Sequence, residues 1–419
     1  MITDASPSLS ILATALLDPR VIDDPYPFYR RLHAEAPVWR VPGTKVVVVG
    51  SHDLLTEATA RVEDFSSNMK CLLYKDDDGL PEQLPFDDMS QQTLVTADPP
   101  EHTLHRRTVF PELVAKRMVA LEPGIRDLAV DCVQRAVDAG RMDFMATVAN
   151  PVPITVVNDL VGFRDSDPLV LLQAAFDSTA MLGSLVTLAD LDGLIVRIDA
   201  VQAWIRQQME TVRADSDSDA DRDSDNVLGT IAGGVEAGTF SEDEATMMLH
   251  TLLGAGGETT SSLLGNAAVI LAEDPHLQQR LRAQPELLGS FVEEVLRLES
   301  PLRMMLRSVP RPTTLGGVGL QEGDTLILLF GAANRDPAQY ERPDELDLDR
   351  DQLRTHLAFG KGIHYCVGAR LARLEGQIVL AELLARTSLI ELDPDESPRR
   401  AASLLVRRYD RLPLKLTPA

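Results

Sequence analysis

The sequence predicts a mainly α-helical fold with a small β region, and two observations carry that expectation. Long stretches place apolar residues at three- and four-residue steps, the spacing of a helix with one buried face. Val367, Leu371, Leu374, Ile378, Ala381 and Leu384 form one such series, and Met247, Met248, Leu252, Leu263, Leu264 and Ile270 form another between Glu242 and Ala272. Apolar runs of strand length are few: Val46 to Val49, Thr325 to Leu329, Leu404 to Val406 and Leu414 to Leu416.

In chain order, Asp24-Pro25-Tyr26-Pro27-Phe28 opens a proline-started amphipathic helix. Trp39 to Gly50 turns at Pro42-Gly43 and predicts a hairpin. Residues 66 to 94 lack periodicity and carry Asp76-Asp77-Asp78-Gly79, which predicts a long loop, functional or disordered. Asp98-Pro99-Pro100-Glu101 starts a helix on which His102 and Arg106, four apart, share a face. Pro153 to Gly162, and Pro168 to Val212 with a break near Gly183, are two further helical segments. The acidic run from Asp215 to Asp225 is a solvated loop. A helix beginning near Pro285 puts Glu294 and Arg297 on one face. Ser300 to Met305 is then an extended segment bent by Pro301.

A net charge of -24 disfavours nucleic acid and anionic membranes as partners. Cys71, Cys132 and Cys366 are far apart and lack zinc spacing, so neither a disulfide framework nor a zinc site is expected. The start Met1-Ile2-Thr3-Asp4-Ala5 has no cationic region, and Ile11 to Leu17 is too brief to span a bilayer. A cytoplasmic protein with no stable membrane anchor is expected. A chain of 419 residues commonly holds two or three domains, but no linker divides this one.

The chemistry concentrates between Thr355 and Gly368. Cys366 ends a glycine-broken loop and opens the helix that follows, so free backbone N–H groups and the positive end of the helix dipole lower its thiol pKa. A thiolate held there can bind a metal or attack an electrophile. Gly360, Gly362 and Gly368 suit a loop lying flat against a large planar object better than one aiming a nucleophile.

The pattern Phe-Gly-x-Gly-x-His-x-Cys-x-Gly, met at Phe359, Gly360, Gly362, His364, Cys366 and Gly368, resembles the haem-ligand loop of the cytochrome P450 family. The resemblance implies one large, mostly helical domain over residues 1–419, with haem b (iron protoporphyrin IX) as cofactor and Cys366 as its axial ligand. It places His102, Arg106 and Arg307, with Arg303 as an alternative, on the haem propionates. Glu294 and Arg297, joined by Arg350, become a buried cluster supporting the cysteine loop, although Leu346 stands where many members have phenylalanine.

The middle of the helix from Glu242 reads Leu253-Gly254-Ala255-Gly256-Gly257-Glu258-Thr259-Thr260. Three glycines there cost about 1 kcal/mol each relative to alanine, so something is gained for them. Small residues let a bulky ligand lie against the backbone, and Thr259 can bond the carbonyl of Ala255 and bend the helix. Ala-Gly-x-Glu-Thr-Thr resembles the family's oxygen-activation motif, implying that Ala255 lies against the cofactor while Glu258 and Thr259 manage proton delivery.

The activity implied is a monooxygenase that inserts one atom of dioxygen into a small apolar organic substrate. No nicotinamide or flavin fingerprint is present, so electrons must come from a separate protein, and the resemblance implies NAD(P)H by way of ferredoxin reductase and ferredoxin. Lys361, Arg370 and Arg373 form a candidate patch for docking an acidic ferredoxin. Two alternatives are a peroxygenase driven by hydrogen peroxide and a haem protein that binds a ligand without turnover. The resemblance draws the substrate pocket from residues 66–94, 163–200, 252–260, 300–305 and 403–406. Lys70, Lys75 and Arg303 are candidates for anchoring a carboxylate.

Overall fold

The computed structural model describes residues 13–85, 92–113, 115–216 and 226–419, and the side chains of 112–119 and 215–216 are outside the description. The N-terminal residues up to Leu12 and most of the acidic run, 217–225, therefore lie outside the described residues.

Helix α1 (Tyr26–Glu35) follows Pro25 as expected. Strands β1 (Val38–Arg40) and β2 (Val46–Val49) form the predicted hairpin, and all four valines of β2 are buried. The expected loop at 66–94 is a correction: β3 (Cys71–Lys75) and β4 (Pro81–Pro85) pair as a second hairpin. Its turn is made by the aspartates that suggested a loop, with Leu80 N donating to Asp76 Oδ1 at 2.6 Å and Gly79 at φ 82°. Sequence periodicity missed it because its strands alternate poorly.

Helix α2 (Glu101–Val109) carries His102 and Arg106. Strand β5 (Arg141–Asp143) leads towards α3 (Pro151–Val161), α4 (Pro168–Leu182) and α5 (Leu188–Ser216), with the break at Gly183 where the sequence places it. The longest helix is α6 (Glu242–Glu273), started by a reciprocal cap in which Ser241 Oγ accepts from Glu244 N and Glu244 accepts from Ser241 N. It packs against α3, α4 and α5. It also meets α7 (Leu288–Glu299) and α8 (Ala369–Arg386), the helix that follows Cys366.

Between α7 and α8, β6 (Met305–Ser308) and β7 (Thr325–Leu328) complete a four-stranded sheet in the order β1-β2-β7-β6, with β2 and β7 parallel. After α8, β8 (Thr387–Leu392) pairs with β10 (Pro413–Pro418), and β9 (Tyr409–Arg411) lies between them in sequence. The predicted strand at Leu404–Val406 is absent among the described residues: only Val406 bridges to Leu302, and the three side chains fill the core beneath the sheet.

Two of the glycines in α6 serve packing. A Cβ on Gly256 would lie 2.7 Å from Val157, and one on Gly257 would lie 2.9 Å from Ile154, both on α3. The glycines thus bring α6 and α3 closer than alanine permits. Gly256 also lines the cavity described next, so the expected groove for a ligand is only part of the reason for them.

Candidate functional site

The cysteine loop is tied down from three sides. Asn334 Oδ1 accepts from Leu357 N at 2.6 Å. His356 Nε2 is 2.8 Å from Glu293 Oε2, and its Nδ1 accepts from Ala358 N, so the neutral ring donates at Nε2. Arg373 clamps the same carboxylate, Nε to Oε1 at 2.6 Å and Nη2 to Oε2 at 2.9 Å, with its guanidinium 4.4 Å over the Phe359 ring. Arg373 is therefore bound to Glu293 rather than free on a docking patch, which leaves exposed Lys361 and Arg370 of the three proposed cations.

Burial pushes the Glu293 carboxyl up, but the bonds from His356 and Arg373 outweigh it and hold the group down at about 2. A depressed carboxylate stabilises the fold above its ordinary pKa and loses that contribution as pH falls through the folded value. Glu293→Gln is therefore expected to lower stability by about 3 kcal/mol at neutral pH. Its gap from wild type should narrow as pH drops from 4.5 towards 2, read from denaturation midpoints across that range.

Gly360 (φ 67°) and Gly362 (φ 71°) adopt the left-handed backbone that the loop requires, and Cys366 N donates to Phe359 O at 2.9 Å. Gly368 does not, with φ -84°. Burial raises the Cys366 thiol, while the N–H groups of Gly368 and Ala369 and the charges of Arg106 and Arg373 pull it down. The helix terminus thus acts in the expected direction but is outweighed by burial, a penalty that a bonded cation removes.

Behind the loop, Glu294 and Arg297 are fully buried and paired through two bonds, Nε to Oε1 at 2.6 Å and Nη2 to Oε2 at 2.9 Å. Arg350 Nε lies 3.3 Å from Glu294 Oε1. Arg297 also donates to the carbonyls of Asn334, Pro343 and Glu345. All three members suggested by the sequence meet here.

Cys366 is exposed, but to an internal cavity. His102, Arg106, Arg307, Phe359, Gly360, His364, Gly368, Ala255 and Thr259 line the same cavity. Arg303 does not: it is buried elsewhere, donating to the carbonyls of Ile22 and Ser403, and neither Lys70 nor Lys75 lines the cavity. Thr259 Oγ1 donates to Ala255 O at 2.7 Å, as its spacing predicts. Glu258, one position earlier, points away from the cavity into the protein.

The cavity carries two arginines without paired acids, and the one acid among its lining residues, Glu375, has its carboxyl pushed well up by burial. Burial lowers Arg307 to about 10, with Asp98 opposing, and it also lowers Arg106. Among the described residues neither arginine has an acid within ion-pair distance. His364 is pushed down to about 3 by burial and by Arg307, His102 and Arg106, so its ring is neutral and shares 2.8 Å with Ser67 Oγ. The histidines can give hydrogen bonds and the arginines give charge. The other walls are aliphatic, including Val157, Leu160, Val161, Leu252 and Leu302. A flat apolar group bearing carboxylates at one edge and a thiolate-binding metal at its centre satisfies all three features, so the residues fit iron protoporphyrin.

Of the pocket segments inferred from the sequence, residues near 94, 252–260 and 300–305 reach the cavity, whereas none from 163–200 or 403–406 does. Val157, Leu160, Val161 and Val227 take their place. Sequence reasoning also missed Glu293, His356, Ser67 and Arg408. The one available signal was Glu293 standing beside Glu294 on a helix whose charged residues are buried on adjacent faces.

The chain matches the family model described as Cytochrome P450 over residues 19–409. It is 40% identical over 395 residues, 94% of this chain and 89% of the relative, to Cytochrome P450 144 of Mycobacterium tuberculosis. It is 32% identical over 404 residues, 96% of this chain and 78% of the relative, to the beta-dihydromenaquinone-9 omega-hydroxylase of Mycobacterium bovis. Among solved structures, CYP109E1 from Bacillus megaterium in complex with testosterone aligns with a TM-score of 0.83 at 27% identity, covering 95% of this chain and 99% of that one. Similarity running through nearly the whole length, on a chain whose cavity suits a thiolate-bound haem, means that the chain belongs to the cytochrome P450 family of haem b monooxygenases.

Proposed function

We propose that this chain, acting as a single domain in the cytoplasm, takes electrons from NAD(P)H through ferredoxin reductase and ferredoxin and inserts one oxygen atom into a small apolar substrate. The observation that carries the reading is that Cys366 and Thr259, on different elements, open onto one aliphatic cavity. The haem held there supplies the redox chemistry that splits dioxygen.

The chain's own residues do the rest. Cys366 holds the iron, and Arg106, Arg307, His102 and His364 hold the carboxylates. Phe359 and Gly360 shape the loop, Ala255 leaves space on the opposite wall, and Gly368 directs its N–H at the sulfur. The Glu294, Arg297 and Arg350 cluster fixes the ground on which the loop stands. Thr259 has its one hydroxyl proton committed to Ala255 O, so its oxygen accepts and orients a proton-bearing water. Glu258, one residue back, supplies a carboxylate through which protons reach that water.

The aliphatic lining supports an apolar substrate. Two relatives agree with that chemistry, one named for hydroxylating a dihydromenaquinone and one solved with testosterone. Exposed Lys361 and Arg370 beside the cysteine loop support docking of an acidic ferredoxin. Among the described residues no helix is long and apolar enough to cross a membrane.

Thr259→Ala is expected to divert electrons from product to hydrogen peroxide on the order of tenfold, the low end of what a positioned proton donor contributes. Reconstitution with NADPH, reductase and ferredoxin, scoring product per electron, checks it. Product formed equally well by Thr259→Ala, or formed from peroxide alone and not from NADPH, contradicts the reading.

A further inference from the structure

Leu94 and Val95 line the cavity from a single 3-10 turn, Leu94–Thr96, on the approach to α2. Leu94 sits there at φ 45°, in the left-handed region that a leucine adopts only when its surroundings hold it. Thr96 Oγ1 donates to Thr93 O and accepts from Thr93 N, both at 3.1 Å, which closes the turn on itself. A side chain of α2 then holds the turn in place: Leu94 N donates to His105 Nδ1 at 3.4 Å.

A ring nitrogen that accepts from a backbone N–H carries no proton, so the neutral ring of His105 has its proton on Nε2. Nε2 faces Glu244 Oε1 across 3.9 Å, too long for a hydrogen bond but within ion-pair range. The other oxygen of that carboxylate is taken, because Oε2 accepts from Ser241 N at 2.8 Å and from Ser241 Oγ at 2.9 Å at the start of α6. The ring is 1% exposed and lies 5.8 Å from the ring of Phe240. Charging it changes both contacts at once. Nδ1 gains a proton and turns a donor towards the Leu94 N–H, while the new cation is drawn to Glu244.

We propose that His105 is the positioning residue for this part of the cavity wall, and that Leu94 and Val95 hold their places only while its ring is unprotonated. His105 does not itself line the cavity, so it acts through Leu94. Protonation need not come first. A local opening of the turn uncovers Nδ1, and a proton captured from water at that moment keeps the turn from closing again. One hydrogen bond is exchanged for one ion pair, and the exchange reverses when the proton leaves.

The surrounding charges fit two states of this kind. Burial lowers His105, while Glu244 on α6 and Glu101 on its own helix oppose. His102, three residues earlier on α2, is itself lowered in part by His105, so the two rings disfavour being charged together. Phe240 and the turn's Thr93 and Thr96 bring no charge. The helix Val227–Glu236, which also packs on α2, is charged only at its last residue. The folded ring is therefore neutral at neutral pH. As pH falls below the ordinary histidine value, the opened turn takes the proton first and the wall is progressively lost.

The test reads amide hydrogen exchange at Leu94 in the holoenzyme, corrected for the intrinsic exchange rate, from about pH 8 to about pH 5, the span across which histidine ordinarily charges. Wild-type protection at Leu94 should fall about tenfold per pH unit once the ring begins to charge, as one linked proton requires. His105→Asn, whose side-chain oxygen can stand where Nδ1 does, should keep the protection and lose its pH dependence. His105→Leu should lack the protection at every pH. A second readout follows the wall itself: carbon monoxide rebinding after flash photolysis of the dithionite-reduced holoenzyme should be several-fold faster at the acid end in the wild type and flat with pH in His105→Asn. Protection that is flat with pH in the wild type, that falls equally in His105→Asn, or that survives in His105→Leu overturns the role of His105. Acid-dependent exchange with unchanged rebinding overturns the part that Leu94 and Val95 play in the wall. Neither measurement uses ferredoxin, NADPH or an organic substrate, so its outcome is separate from that of the proposed electron route and of Thr259→Ala.

Discussion

Arg297→Ala is expected to destabilise the protein by about 3 kcal/mol, because it leaves buried Glu294 without its bidentate partner and with only Arg350, 3.3 Å away, to offset its charge. The size follows from the environment rather than from the pair alone. Both side chains have no exposure, and the guanidinium also satisfies three backbone carbonyls, Asn334, Pro343 and Glu345. Lysine cannot reproduce that fork, so Arg297→Lys should recover little of the loss. Because Asn334 in turn holds Leu357 N, the cysteine loop should loosen with the cluster and haem should be retained poorly. Denaturant unfolding and the haem content of purified protein check this. Near-wild-type stability in Arg297→Ala would mean that the cluster is not the loop's support.

Cys366→Ala is expected to abolish monooxygenation to background while leaving the fold intact. The side chain opens onto the cavity, the bond from its N to Phe359 O is one that alanine keeps, and the substitution frees only the Gly368 and Ala369 N–H groups at the start of a helix. No packing is lost that the rest of the loop depends on. What disappears is the one thiol among the residues that line the cavity, and with it the electron-rich sulfur that haem-thiolate chemistry requires. Circular dichroism and unfolding should match wild type within about 1 kcal/mol, as for a substitution outside the packed core. Retained turnover would remove the thiolate from the reaction.

The contrast between these two residues explains what the sequence could reveal. Cys366, Gly360, Gly362 and His364 sit within a few positions of one another, so their spacing shows a glycine-broken loop ending on a cysteine, and the resemblance that this pattern carries implies its ligand. Glu294 and Arg297 were legible because one helical turn brings them together. Thr259 and its bond to Ala255 followed from the same i to i+4 geometry. The helices were legible for the same reason, including the break at Gly183.

Long-range partners were not legible. Arg373 looks like a solvated cation in sequence, yet it closes on Glu293 from another helix. Arg408 meets Glu258 only because the C-terminal segment folds back across α6 and α4. The pocket walls shifted for a related reason. Val157, Leu160 and Val161 reach the cavity because Gly256 and Gly257 let α3 lie against α6, a contact that spacing along either helix does not encode. The hairpin β3–β4 was hidden because its turn chemistry resembles a loop and its strands alternate weakly.

The absorption spectrum of the purified protein, reduced and exposed to carbon monoxide, bears most directly on the central claim that sulfur at position 366 is bonded to haem iron. A strongly red-shifted Soret band that is lost in Cys366→Ala is the result the account predicts. A colourless protein after expression with ample iron, or an adduct whose band is unshifted or the same in Cys366→Ala, would contradict it.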